Sequence, residues 1–268
     1  MSGTPVSEAS SAFEPVKSAD RVLALIELLT TRPDGMSFME LLESTGWPRS
    51  SLHGLLRTMS DRGHLDVDSG SGHFRIGVRL WEAGQAFARG LDLAAVALPH
   101  LERARALINE TVQLAVLDGF ENVYVAKVES NHHLRLQSEV GGRLPAYATG
   151  LGKVLLAGLP PLEFERRLAS AELMRFTEST IVDADVLRVR LADIRAKGYA
   201  LDEGEYTLGV FCVAVPVRGP GGDTVAAVSS SVPTVRASAG SQGRMVEVLT
   251  GIAERISVDL GSPIGSPP

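Results

Sequence analysis

WPRSSLHGLLRTMSDRGHL, residues 47–65, carries the fold in its spacing. Leu52, Leu55, Leu56 and Met59 fall at i, i+3, i+4 and i+7, which is one apolar helical stripe turned toward a core. The opposite side gathers Arg49, Ser50, Ser51, His53, Gly54, Arg57 and Thr58, with no acid before Asp61. An ordinary solvated face carries Glu and Lys. Small hydroxyl residues interleaved with arginines instead suit close approach to a polyanion, with Ser50, Ser51 and the bare backbone of Gly54 clearing the way. Arg49, His53 and Arg57 then supply donors to phosphates or guanine edges.

The sequence on either side completes a module. Ser18 is positioned to cap a helix with the stripe Val22, Leu25, Ile26 and Leu29, ending before RPDG. Ser37 and Glu40 make an S-x-x-E capping box for a second helix that closes at Gly46, and Pro48 begins the next. Two short helices joined by STGWP form a helix-turn-helix. GHLDVDSGSGHFRIG then alternates and breaks at Ser-Gly-Ser-Gly, as a β-hairpin does. Three helices and a hairpin make a winged helix-turn-helix over residues 17–80. On the wing, His73 and Arg75 either touch DNA backbone or minor groove or are ordinary surface charges.

Bulk properties permit this reading without demanding it. The chain has 268 residues, 44% apolar and 22% charged, with net charge −6. Residues 17–81 hold eight Lys/Arg and eight Asp/Glu, so the acidic balance lies outside the helix-turn-helix. One cysteine excludes an internal disulfide framework and fits a reducing cytoplasm. No apolar stretch is long enough to span a bilayer, and residues 1–16 lack the basic and apolar regions of a signal peptide. They read as a disordered leader, and residues 261–268 as a flexible tail.

Residues 81–91, WEAGQAFARGL, read as a linker helix with Leu80, Gly84, Phe87 and Leu91 along one side; it packs either on a second copy or within the chain. Another amphipathic helix follows, with Leu93, Val96, Leu101, Ala104, Leu107 and Ile108 apolar. Then come strands in VQLAVLDG, NVYVAKVES and HLRLQSEV, helices near 148–158, 161–170 and 183–197, and final strands near 210–217 and 223–231. That order implies an α+β domain with an antiparallel sheet over residues 92–260.

Two features of this domain carry chemistry. ATGLGK, residues 148–153, puts Thr149 and two glycines where a strand hands over to a helix, so backbone N–H groups and the helix dipole are offered to an anion. A glycine turn required by packing alone is the competing explanation. It is not a P-loop, because Tyr147 stands where the first glycine belongs and Val154 follows Lys153. In VAAVSSSVP, Ser229 and Ser231 are two apart and face one side of a strand. Either a ligand or neighbouring backbone satisfies them.

Taken together, SADRVLALIELL, GWPRSSLHGLLRTMSDRGHL, FRIGVRLWEAG, LPAYATGLGKVLLA, GYALDEGEYTLGVFCVAVPV and AAVSSSVP resemble, in order and spacing, the IclR family of bacterial transcription regulators over nearly the whole chain. The resemblance implies a homodimeric or tetrameric repressor or activator that binds double-stranded operator DNA, with a GAF-like C-terminal domain for a small-molecule effector. It places Leu136, Leu144, Gly150, Leu151, Asp202 and Cys212 around the effector; by spacing alone, Asp202 equally caps a turn and Cys212 is equally a small buried hydrophobe. His133 stands where relatives are often apolar, and it either makes the pocket more polar or points elsewhere. One departure concerns Gly54, where the family usually has arginine: a phosphate contact is lost, and a helical glycine costs roughly 0.5–1 kcal/mol against alanine.

An enzyme is the weaker reading. Cys212 has no sequence neighbour that would activate it, and adjacent His132 and His133 point to opposite faces of a strand, away from a common metal. No cofactor or metal is expected. A winged-helix protein–protein interaction module with a sensor domain is the alternative. The sequence reads as a ligand-responsive transcription regulator that senses a small organic acid and controls a catabolic or metabolic operon.

Overall fold

The computed structural model describes residues 15–90, 93–132 and 139–262. The chain divides into two compact units, residues 1–90 and 91–268.

The first unit begins with α1 (Lys17–Thr30), α2 (Phe38–Thr45) and α3 (Arg49–Asp61), followed by β1 (Leu65–Val67), β2 (Phe74–Ile76) and α4 (Val78–Gly90). Leu25, Leu29, Leu41, Leu52, Leu56, Met59 and Leu65 close one core, which is the stripe the spacing predicts. The α2 capping box is formed: Ser37 Oγ accepts from Glu40 N, and Glu40 returns to Ser37 N. Gly46 ends α2 in the left-handed region, which turns the chain toward Pro48, the N-cap of α3. The N-cap of α1 is Val16 and makes no side-chain bond, so Ser18 lies inside the helix rather than capping it. The wing gains a third member, as Met36 and Phe74 exchange backbone hydrogen bonds of 3.0 and 2.8 Å. Gly35 makes that possible: its φ is +79°, and a Cβ there would lie 2.7 Å from the Phe74 carbonyl oxygen. The linker helix starts at Val78, three residues before the expected Trp81, and the side chain of Phe87 lies outside the described residues, as does Leu91.

The second unit contains α5 (Leu93–Ile108), β3 (Thr111–Asp118), β4 (Glu121–Val128), β5 (Arg143–Pro145), α6 (Gly150–Ala157), α7 (Pro161–Leu168), α8 (Ala184–Lys197), β6 (Ala200–Glu203), β7 (Val210–Arg218), β8 (Thr224–Pro233) and α9 (Ala239–Asp259). The six strands form one antiparallel sheet in the order β5-β4-β3-β8-β7-β6. One face carries Leu114, Val213, Val215, Val217 and Val228 in a core shared with α5 and α9. The other carries Ala115, Ala200, Ala214 and Ala227 against α6, α7 and α8. Small residues there let the glycine-bearing start of α6 approach the sheet closely.

Three points differ from the sequence expectations, and one expected strand is not tested. Helix α9 was not anticipated; Met245, Leu249, Ile252 and Ile256 bury one side of it. Strand β6 is also new, a four-residue edge too short to stand out from its neighbours. Leu107 is 47% exposed rather than on the buried side of α5, which uses Leu93, Ala97, Leu101 and Ala104. The expected strand HLRLQSEV falls mostly outside the described residues, as do His133 and Leu136.

Candidate DNA-reading face and effector site

On α3 the stripe buries Leu52, Leu56 and Met59, which leaves Arg49, Ser50, His53, Gly54, Arg57 and Thr58 exposed together. Arg49 lies over the Phe38 ring, 5.0 Å from its centroid, and His53 meets the same ring edge-on at 6.4 Å. Phe38, Met39, Arg49, Ser50 and His53 line a shallow open depression. Ser51 is half-buried and accepts a 2.7 Å hydrogen bond from Arg21, itself stacked on Trp47. Arg57 forms a loose 3.7 Å pair with Asp61, and both are about three-quarters exposed. A Cβ at Gly54 would meet nothing within 4 Å, so packing does not require glycine there. On the wing, Arg75 is bound to Asp68 rather than projecting freely. Asp68 also accepts from Ser71 N, Ser71 Oγ and Gly70 N, and these bonds, Ser71 foremost, hold its carboxyl down at about 2. His73 is half-buried beside that turn. Sequence reading missed Phe38 and Arg21, whose roles depend on neighbours from other helices.

In the second unit, strand register assembles a polar strip. Asp202, Cys212, Ser231 and Thr111 lie side by side across β6, β7, β8 and β3. One step along, Ala200, Ala214, Ser229 and Gln113 form a parallel row. Ser229 Oγ and Ser231 Oγ share Gln113 Oε1 at 3.4 and 3.3 Å, and Cys212 Sγ lies 2.9 Å from Ser231 Oγ. The serines therefore do face one way. Burial and the nearby Asp202 carboxylate raise the Cys212 thiol pKa well above its ordinary range, so it stays neutral.

Helix α6 closes over this strip. A Cβ at Gly150 would lie 3.5 Å from those of Ala214 and Asp202 and 3.6 Å from that of Cys212. At Gly152 it would lie 2.2 Å from the Ala146 backbone, so that glycine is required by packing. The three-donor cradle expected at Gly150–Leu151–Gly152 is not free. Thr149 Oγ1 accepts from Gly152 N at 3.0 Å and donates to Asn122 Oδ1 at 2.7 Å. The Asp202 carboxylate accepts from Glu205 N–H at 2.8 Å and lies beside the Gly150 and Gly204 N–H groups, which favour its ionised form. The remaining donor of the turn is Leu151 N–H. Leu144 pairs with Asn122 on the sheet edge and is half-buried near this core.

Beside Asp202 lies a charged group the sequence reading passed over. Lys153 is fully buried; its ammonium donates to Leu201 O at 3.2 Å and is bound to Glu205. Burial pushes the Asp202 and Glu205 carboxyls up, against the pull of Lys153. A lysine within the apolar run GLGKVLLA was the available signal. Tyr124 and Gln113 reach the strip only through strand pairing, which no local pattern announces.

Comparison with known proteins places both units. Residues 18–69 match the IclR helix-turn-helix domain, and residues 85–258 match the bacterial transcriptional regulator IclR C-terminal domain. The HTH-type transcriptional regulator XynR of Escherichia coli is 32% identical over 248 residues, covering 92% of this chain and 98% of the relative. Thermotoga maritima IclR superposes with a TM-score of 0.75 at 29% identity, covering 92% of this chain and all of that one. An IclR homolog from Microbacterium hydrocarbonoxydans, solved in complex with 4-hydroxybenzoate, superposes with a TM-score of 0.81 at 30% identity over 91% of this chain and 98% of that one.

Proposed function

This chain belongs to the IclR family of bacterial transcriptional regulators, and from that premise we propose that its effector is a small organic acid held on the polar strip under α6. The observation that carries the reading is the meeting of Ser229, Ser231, Cys212 and Asp202 with the first turn of α6. Four polar groups converging on a helix N-terminus are costly to bury unless something uses them. The effector carboxylate takes Leu151 N–H and the two serine hydroxyls, whose long bonds to Gln113 yield to a stronger acceptor. Asp202 meets a second polar group of the ligand, a hydroxyl or an amine. The 4-hydroxybenzoate held by the Microbacterium homolog, an acid with one further hydroxyl, is of this class.

Arg49, Ser50, Ser51, His53, Gly54 and Arg57 read operator DNA, with His73 and Arg75 at the wing. Two such units, and hence at least a homodimer, span the half-sites of an operator. The protein works in the cytoplasm without catalytic activity of its own, as a regulator of a catabolic or metabolic operon. A thermal-shift screen against small carboxylic and hydroxy acids tests the effector: a ligand that binds only the folded state raises its melting temperature. No shift with any acid sinks the reading. A salt titration of DNA binding separates it from a protein-docking module, since phosphate contacts make affinity fall steeply with salt.

A further inference from the structure

Lys153, Asp202 and Glu205 form a compact charged group immediately beside the effector site proposed above, on which this inference rests. All three are buried, with relative exposures of 0%, 5% and 6%. One ammonium faces two carboxylates, so the group already carries an excess negative charge. Its surroundings add little compensation: Cys212 from β7 and Tyr124 from β4 are held neutral by burial, Tyr206 lies next in the chain after Glu205, and Arg190 from α8 is exposed to solvent. An organic anion bound at Ser229 and Ser231 would add a second uncompensated charge within the same buried volume. Like charges in so poorly screened a space do not remain together when one can be neutralised by a proton.

The two carboxyls differ in their capacity to accept it. Asp202 accepts a hydrogen bond from Glu205 N–H and lies beside the Gly150 and Gly204 N–H groups, each of which favours its ionised form. Glu205 binds Lys153 through Oε1, while Oε2 is buried and makes no hydrogen bond. That oxygen is where a proton is accommodated at least cost. We propose that Glu205 is a further residue of the effector site, which takes up one proton from solvent onto Oε2 whenever an organic anion binds beside Asp202. The balance is simple: anion and proton enter together, the carboxylate becomes a carboxylic acid, and the buried charge is unchanged. Glu205 does not touch the effector; it acts through the charge of the buried group and is a positioning residue.

Isothermal titration calorimetry of the full chain with 4-hydroxybenzoate, benzoate and lactate, each in phosphate and in Tris at one pH near neutrality, tests this. The observed enthalpy should vary with buffer ionisation enthalpy with a slope of about one proton taken up, and affinity should fall roughly tenfold per pH unit above neutrality. Glu205→Gln, neutral already, should bind with no proton uptake and a flat pH profile. Binding by the wild type without proton uptake overturns the proposal while leaving the organic-acid reading intact; so does undiminished uptake in Glu205→Gln. Failure of all three acids to bind overturns the organic-acid reading for these probes and this proposal with it.

Discussion

The Asp202 side chain lies against Gly150, its Cβ 3.5 Å from where a Gly150 Cβ would be, so the start of α6 already has beside it a carboxylate supplied by the protein itself. A helix N-terminus attracts negative charge, and here an edge strand delivers it from 52 positions further along the chain. Whatever binds on the polar strip does so next to this internal anion, which accounts for the neighbouring Lys153. That arrangement, together with the DNA-reading face, leads to four predictions.

Removing Lys153 should be expensive. Lys153→Met strands Glu205 and Asp202 without their cation, and breaking a buried ion pair costs about 3–5 kcal/mol. Lys153→Met/Glu205→Gln should recover a substantial part of that loss. Urea denaturation of the two variants measures the difference; equal stability of single and double variants would contradict the pairing.

The serines are expected to matter for ligand affinity rather than for the fold. In Ser229→Ala/Ser231→Ala the long bonds to Gln113 disappear, while the backbone pairing of β8 with β3 and β7 persists. Organic-acid affinity should drop by roughly a hundredfold or more, in line with two hydrogen bonds to a charged group at about 1.5–3 kcal/mol each. Calorimetry on the double variant checks it, and unchanged affinity argues for a purely structural pair.

On α3, Arg57→Ala removes an exposed side chain that packs on nothing in the core. Operator affinity should fall while the melting temperature stays near that of the wild type. If the contact is to phosphate, the slope of log affinity against log salt should shrink by about one unit. Fluorescence anisotropy across a salt series with a selected duplex decides the matter.

The wing supplies a pH prediction. Bonds from Ser71 hold the Asp68 carboxyl at about 2, against an ordinary 3.8. A depressed carboxyl stabilises the fold fully above 3.8, and that contribution is lost as pH falls through about 2. Carboxyl NMR should place the Asp68 midpoint near the lower value in the wild type. Ser71→Ala should move it upward, and an unmoved midpoint would mean that the turn does not set it.

Much of the protein was determined locally. The stripe Leu52–Leu55–Leu56–Met59, the capping box at Ser37 and Glu40 and the break at Ser-Gly-Ser-Gly each depend on residues a few positions apart, so the winged helix-turn-helix can be read directly. The same holds for Thr149 as the cap of α6 and for the shared orientation of Ser229 and Ser231, which follows from the period of a strand. What local pattern could not supply was long-range. Phe38 under Arg49, Asp68 on Arg75, Asp202 at Gly150 and Glu205 on Lys153 are side chains matched by folding, and spacing carries no information on which partner lies opposite. The local pattern advertises a free N-terminus on α6, whereas the tertiary structure sets Asp202 beside it, because strand register brings β6 against that turn and a buried carboxylate needs donors.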